Sequence, residues 1–266
     1  MHAAKDVVRV AALGDLHHSR TAPTGALQPL FAQISEEADI LVLCGDLTDY
    51  GLPEEAKALV RELAPLKIPS VAVLGNHDFQ SDQPGEVSRI LADAGVKMLD
   101  GDTTEIEGIG FAGIKGFAGG FGRRALGPWG ETIIKQFVHE AVNEALKLET
   151  ALARLRTPRL IAVLHYSPIQ ETVEGEPMEI FPFLGCSRLE EPLTRYPVTA
   201  VFHGHAHHGR PEGATRTGAP VFNVSMGMMR ELFPERPFRI VEVPMRTTGV
   251  VDAAPAAAAP QMVTGS

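Results

Sequence analysis

The sequence predicts an α/β fold, because short apolar runs of strand length alternate with stretches whose apolar residues recur at helical spacing. Three of these runs, Val7–Leu13, Ile40–Cys44 and Ser70–Leu74, lead into glycine and then polar residues. Ligands of open α/β sheets sit outside the carboxyl ends of the strands, so the three loops are expected to meet on one edge.

Taken in order, Val7–Leu13 is the first strand and Ile40–Cys44 the second. Pro53–Leu63 reads as a crossover helix, with proline at its start and apolar residues at helical spacing, and Ser70–Leu74 follows as a strand. Ile106–Ile114, interrupted by Gly108 and Gly110, has the form of a hairpin. Glu131–Leu155 predicts one long amphipathic helix. Its inner stripe is Ile134, Phe137, Val138, Ala141, Val142, Ala145, Leu152 and Leu155, which leaves His139 on the wet face. Leu160–Leu164, Val198–Phe202, Pro220–Val224 and Phe238–Val243 are further strands, so the C-terminal half is expected to supply a second sheet. Residues 1–250 read as one domain without repeat or linker. Residues 251–266, rich in Ala and Pro, are expected to form a disordered tail.

Composition narrows the function classes. Apolar residues make up 44% of the 266 and charged residues 21%, which is enough apolar material for a sizeable core. The formal charge of -9, from 33 acidic and 24 basic residues, disfavours a broad footprint for nucleic-acid backbones. Bound metal would cancel part of that acidity. Only Cys44 and Cys186 carry thiols, so a disulfide framework is not expected. Met1–Asp6 has no basic stretch leading into an apolar core, and no apolar run reaches the ~20 residues of a membrane span. These features predict a soluble cytoplasmic protein.

Five motifs follow predicted strands: Gly14-Asp15-Leu16-His17, Gly45-Asp46-Leu47-Thr48-Asp49, Gly75-Asn76-His77-Asp78, Leu164-His165-Tyr166 and Gly204-His205-Ala206-His207. Singly, Asp and Gly after a strand mean a turn. Their recurrence beside histidines after separate strands points instead to a metal cluster. In motif order and strand context the set resembles the calcineurin-like metallophosphoesterase superfamily, over anchors spread from residue 7 to 225. The resemblance implies a two-sheet β-sandwich flanked by helices. It also implies two divalent ions (Mn, Fe or Zn), one held by Asp15, His17, Asp46 and His207, the other by Asp46, Asn76, His165 and His205, with Asp46 bridging. The reaction it implies is hydrolysis of a phosphate ester, with a lean toward a diester, by a metal-bridging hydroxide. In that scheme His77 protonates the leaving oxygen and Asp78 orients the His77 imidazole.

The remaining histidines of the last motif, His203 and His208, and His18 beside the first, are expected to be structural, and Asp49 has an equal claim as a helix cap. Between Gly113 and Arg124, Phe117 or Phe121 is a candidate to pack on a phosphate-ester substrate and Arg123 or Arg124 to meet its phosphate. Met226, Met228 and Met229 read as core. Three other functions compete: a DNA exonuclease, a lipid-linked pyrophosphate hydrolase, and a non-catalytic protein-binding scaffold. The complete ligand set argues against the last.

Overall fold

Strands whose apolar side chains fill both faces need cover on both sides, and the chain supplies it with a second sheet on one side and helices on the other. The structure, a computed structural model, describes residues 5–245. The Ala/Pro-rich tail lies outside the described residues. In the first sheet β1 (Val7–Leu13), β2 (Ile40–Cys44), β3 (Ser70–Val73) and β4 (Lys97–Met98) run parallel in that order. The second sheet has the order β5-β6-β7-β8-β10-β9. Its strands are β5 (Asp102–Ile106), β6 (Ile109–Gly113), β7 (Arg159–Val163), β8 (Val198–His203), β9 (Glu212–Ala214) and β10 (Pro220–Asn223). Strands β6, β7, β8 and β10 are parallel.

One expectation needs correcting. The strand predicted over Phe238–Val243 is β11 (Arg239–Pro244), and it joins the first sheet rather than the second, antiparallel to β1 with Val10 opposite Val241. The predicted hairpin exists, but it begins earlier, at Asp102, and turns at Glu107-Gly108.

Period-two alternation explains the layers. Along β2, Ile40, Val42 and Cys44 enter the inter-sheet core with Phe111, Ile161, Val163, Phe202 and Phe222. Leu41 and Leu43 point the other way, against Phe31 and Ile34 of α1 (Gln28–Glu37), Leu59 of α2 (Pro53–Glu62) and Val87 and Leu91 of α3 (Pro84–Asp93). The outer face of the second sheet is covered by α4 (Thr132–Arg154), through Ala141, Leu148, Ala151 and Leu152. Its buried stripe also takes in Glu144, which the apolar pattern leaves out. The Glu144 carboxylate accepts the Gly116 N–H at 2.7 Å and pairs with Lys147. His139 is exposed and Met226, Met228 and Met229 are buried, as the sequence predicts. Cys44 and Cys186 are buried free thiols. Among the described residues no helix is long and apolar enough to cross a membrane.

Candidate metal centre

The loops after β1, β2 and β3 and those after β7 and β8 meet at one edge of the sandwich, where the five motifs form two groups of electron-pair donors. Asp15, His17 and His207 make one group, and Asp46, His165 and His205 the other. In the first, His207 Nε2 lies 3.2 Å from Asp15 Oδ1 and 3.5 Å from His17 Nε2. In the second, His165 Nε2 lies 2.8 Å from Asn76 Oδ1 and 3.4 Å from Asp46 Oδ1. Asp46 also reaches the first group, with Oδ2 3.8 Å from His17 Nε2. All seven residues assigned from the resemblance therefore converge.

Two ligand atoms about 2.1 Å from one ion lie about 3.0–3.4 Å apart at octahedral or tetrahedral angles, so these spacings suit shared cations. The hydrogen bonding of His165 tests the fit independently. Its Nδ1–H donates to the Cys44 carbonyl at 2.9 Å, which leaves Nε2 as a lone pair facing the Asn76 and Asp46 oxygens. Acceptors crowded on one point with no proton between them have the chemistry of a cation site. His205 fits the same way. Its Nε2 is engaged by the Phe183 carbonyl at 3.1 Å, leaving Nδ1 for an ion.

Electrostatics favours the ligand form of Asp15, His17 and His205. Burial works against ionisation of Asp15, but the His207 hydrogen bond and neighbouring imidazoles outweigh it and hold the carboxyl well below the usual carboxylate range. Burial, with His165 alongside, drives the His205 imidazole down to about 3, so it is neutral. Burial also lowers His17, whereas the bond to Asp15 raises His207.

The backbone is shaped to make this convergence possible. Six described residues other than glycine have positive φ, and four of them are Asp15 (56°), His17 (42°), Asp46 (47°) and His205 (70°). Such a conformation costs on the order of 1 kcal/mol or more per residue and persists only where the surroundings enforce it. Two motif glycines are needed for close approach. A Cβ on Gly75 would sit 2.8 Å from Asp46 Cγ and closer still to its Oδ1, and one on Gly204 would collide with Asp15 Oδ2.

His77 stands at the rim, its ring 4.5 Å from that of His17, and its backbone N–H donates to Asp46 Oδ1 at 2.8 Å. The partner expected for its imidazole is not the one found. Asp78 is fully buried and its carboxylate accepts from Leu47 N, Thr48 N, Thr48 Oγ1 and Gly75 N at 2.6–3.2 Å. It ties the second motif's loop to the third rather than bonding the His77 ring, because in the three-residue 3₁₀ turn His77–Phe79 successive side chains point about 120° apart. The His77 Nδ1–H instead donates to the Asp49 carbonyl at 2.7 Å. Asp49 is also not a helix cap, since Glu55 takes the Tyr50 and Leu52 N–H groups ahead of α2. The Asp49 carboxylate lies 3.8 Å from His17 Nδ1 and completes a third donor group with His17 and His77, which the sequence reading did not foresee.

His203 is a satisfied core residue, bonded to Thr172 Oγ1 and the Gly204 carbonyl. Phe117 packs on Phe137 and Tyr166, and Tyr166 packs on His205, so Phe117 stands one layer behind the cluster. Phe121 is buried with Val173, Leu184 and Ala206 beneath the His205 loop. Arg123 and Arg124 are exposed and make no hydrogen bond or ion pair with the cluster. Phe183, which supplies the carbonyl to His205, is itself exposed and lies in the short helix α5 (Phe181–Leu184).

The family model for calcineurin-like phosphoesterases matches residues 8–209. No curated protein matches the chain by sequence. Among solved structures, TT1561 of Thermus thermophilus aligns with a TM-score of 0.52 at 16% identity, over 90% of this chain and 100% of that one. The purple acid phosphatase PPD1 from yellow lupin (Lupinus luteus) seeds gives 0.51 at 16% identity, over 91% of this chain and 46% of that one. GAP50, described as the anchor in the inner membrane complex of Plasmodium, gives 0.51 at 16% identity, over 84% and 73%. At such identities the likeness is one of fold.

Proposed function

Because the chain belongs to the calcineurin-like phosphoesterase family and is a metal-dependent phosphoric ester hydrolase, we propose that it cleaves a phosphodiester with two divalent ions bound side by side. Asp15, His17, Asp46 and His207 would hold one ion, and Asp46, Asn76, His165 and His205 the other. The mixed nitrogen and oxygen donors suit manganese, iron or zinc. One observation carries the reading: Asp46 turns its Oδ1 toward His165 and its Oδ2 toward His17, so one carboxylate would reach an ion in either group. Divalent ions, when bound there, acidify water and neutralise charge on phosphoryl oxygens.

The chain's own groups do the rest. His77 has its Nδ1–H committed to Asp49, so its Nε2 is the atom left to give a proton to the leaving oxygen as water adds to phosphorus and the ester P–O bond breaks. The preference for a diester rests on charge. Among the described residues no lysine or arginine hydrogen-bonds or ion-pairs with either donor group. A singly charged diester needs less cationic help than a doubly charged monoester.

The test is to measure metal content, and then hydrolysis of bis-p-nitrophenyl phosphate and p-nitrophenyl phosphate with added manganese, for wild type and Asp46→Ala. Two ions per chain, faster cleavage of the diester and loss of both ions and turnover in Asp46→Ala are expected. Undiminished hydrolysis by Asp46→Ala would overturn the mechanism, and faster cleavage of the monoester would overturn the substrate class.

A further inference from the structure

Next to the metal centre, on the same edge of the sandwich, lies a cavity of about 290 Å³ that no step so far has used. Its walls come from the next strands along, β3 and β4 in one sheet and β5 and β6 in the other. Leu74, Phe79, Met98 and Leu99 give it an apolar lining, and Ser88 and Lys115 add polar groups. Three of these residues are direct neighbours of the site. Leu74 precedes Gly75-Asn76, Phe79 closes the short turn begun by His77, and the Lys115 carbonyl accepts the N–H groups of His165 and Tyr166.

Lys115 is an unusual wall for an apolar cavity. Its ammonium lies 4.9 Å from the Phe117 ring centroid, 5.3 Å from Phe79 and 5.4 Å from Tyr166, and its one hydrogen bond is to the neighbouring Gly116 carbonyl. Among the described residues no carboxylate ion-pairs with it. Asp100 and Asp102 also reach the cavity, but both stand exposed at its solvent rim, where Asp100 shares Lys147 with Glu144. Ring faces stabilise the ammonium without using its protons, so it keeps donors for a ligand.

We propose that this cavity receives the leaving alcohol of the substrate, a ring-bearing alcohol with a carboxylate or similar anionic group that meets Lys115. The proposal rests on the phosphoesterase reading above and adds the chemistry of the esterified group. The cavity size suits one ring, being just below the roughly 300–1,000 Å³ typical of sites for drug-sized ligands. The side chosen is that of the leaving group, because Phe79 shares the turn of His77.

The experiment compares methyl phenyl phosphate with methyl 4-carboxyphenyl phosphate, with release of the phenol followed by chromatography on manganese-loaded enzyme. Taking the ratio of variant to wild type for each ester cancels their intrinsic reactivities. Lys115→Met is expected to lower kcat/KM for the carboxyphenyl ester by at least about tenfold more than for the phenyl ester, the size of a lost charge-assisted hydrogen bond. Ser88→Trp, which fills the cavity from α3, is expected to lower both at least about tenfold while metal content and melting temperature are retained. Equal losses on both esters in Lys115→Met, or full activity on both in Ser88→Trp, would overturn the proposal. Wild type that cleaves bis-p-nitrophenyl phosphate yet shows those outcomes refutes only the cavity assignment. Wild type that cleaves no ester at all refutes the phosphoesterase reading and the cavity with it.

Discussion

A single added methyl group tests the geometry of the metal centre most sharply. In Gly75→Ala the new Cβ would lie 2.8 Å from Asp46 Cγ, against about 3.5 Å for an unstrained carbon contact, and closer still to Asp46 Oδ1 and backbone N. Either Asp46 or the Gly75 backbone must move by about 0.7 Å or more. Asp46 is held by the His77 N–H and has 1% exposure, so it has no free space to retreat into. A misplacement near 1 Å in a catalytic constellation costs about 10²-fold in rate, and overpacking costs about 1–3 kcal/mol in stability. The assay is manganese-dependent diester hydrolysis with metal stoichiometry and a thermal melt. Gly227→Ala is the control. It adds the same methyl in the first turn of α6 (Met226–Leu232), where nothing lies within 4 Å, and should leave stability unchanged or raise it by up to about 1 kcal/mol, roughly 2–4 °C, with full activity. Gly75→Ala with wild-type turnover and metal content would refute the claim that Asp46 is fixed between two donor groups.

Two further outcomes follow from single contacts. His77→Gln should lower kcat by about 10²–10⁴-fold with bound metal retained, since His77 is assigned proton transfer and not coordination; loss of metal together with activity would reassign it as a ligand. Glu62 supplies a pH signature away from the site. Burial opposes its ionisation, but the Gly25 and Leu27 N–H groups, at 2.6 and 2.8 Å, outweigh that and lower its pKa. A carboxylate depressed in the folded state stabilises above its unfolded pKa of about 4.3 and loses that contribution as pH falls through the lower folded value. Melting curves from pH 6 to 3 should therefore fall less steeply for Glu62→Gln than for wild type, and parallel curves would contradict the assignment.

The residues that converge in the two donor groups were legible because a cation site would demand particular residue types at particular points: Asp, His and Asn immediately after strands. Each of these choices is local, and so it survives in the letters. What the letters hid was non-local or rotational. Nothing in Asn76-His77-Asp78 tells which way the carboxylate turns, and the 3₁₀ turn aims Asp78 into Thr48 and the Gly75 amide rather than at His77. β11 has the same alternation whichever sheet it joins, so its pairing with β1 is decided by the route of the chain and not by its pattern. Helices α1 and α3 each bury only two side chains completely, Phe31 and Ile34 in one, Val87 and Leu91 in the other, too few for a clear apolar period. Glu144 falls on the buried stripe of α4 because Gly116 and Lys147 satisfy it, partners that a helical pattern cannot register.

The way the motifs hold one another explains how a site with strained backbone and buried carboxylates is held together. The Asp15 N–H donates to the Gly45 carbonyl, joining the first motif to the second, and the His165 ring donates to Cys44, joining the fourth to the second. Gly204 donates to the His165 carbonyl, and the His205 N–H donates to the Asp15 carboxylate, so the fifth closes the circuit back to the first. The third is tied to the second three times over, by Asp78, by the His77 N–H and by the His77 ring. In a closed circuit no loop can relax its positive φ alone, because relaxing it would break a hydrogen bond to a different strand's loop. The cost of strain is thereby shared among loops from different strands.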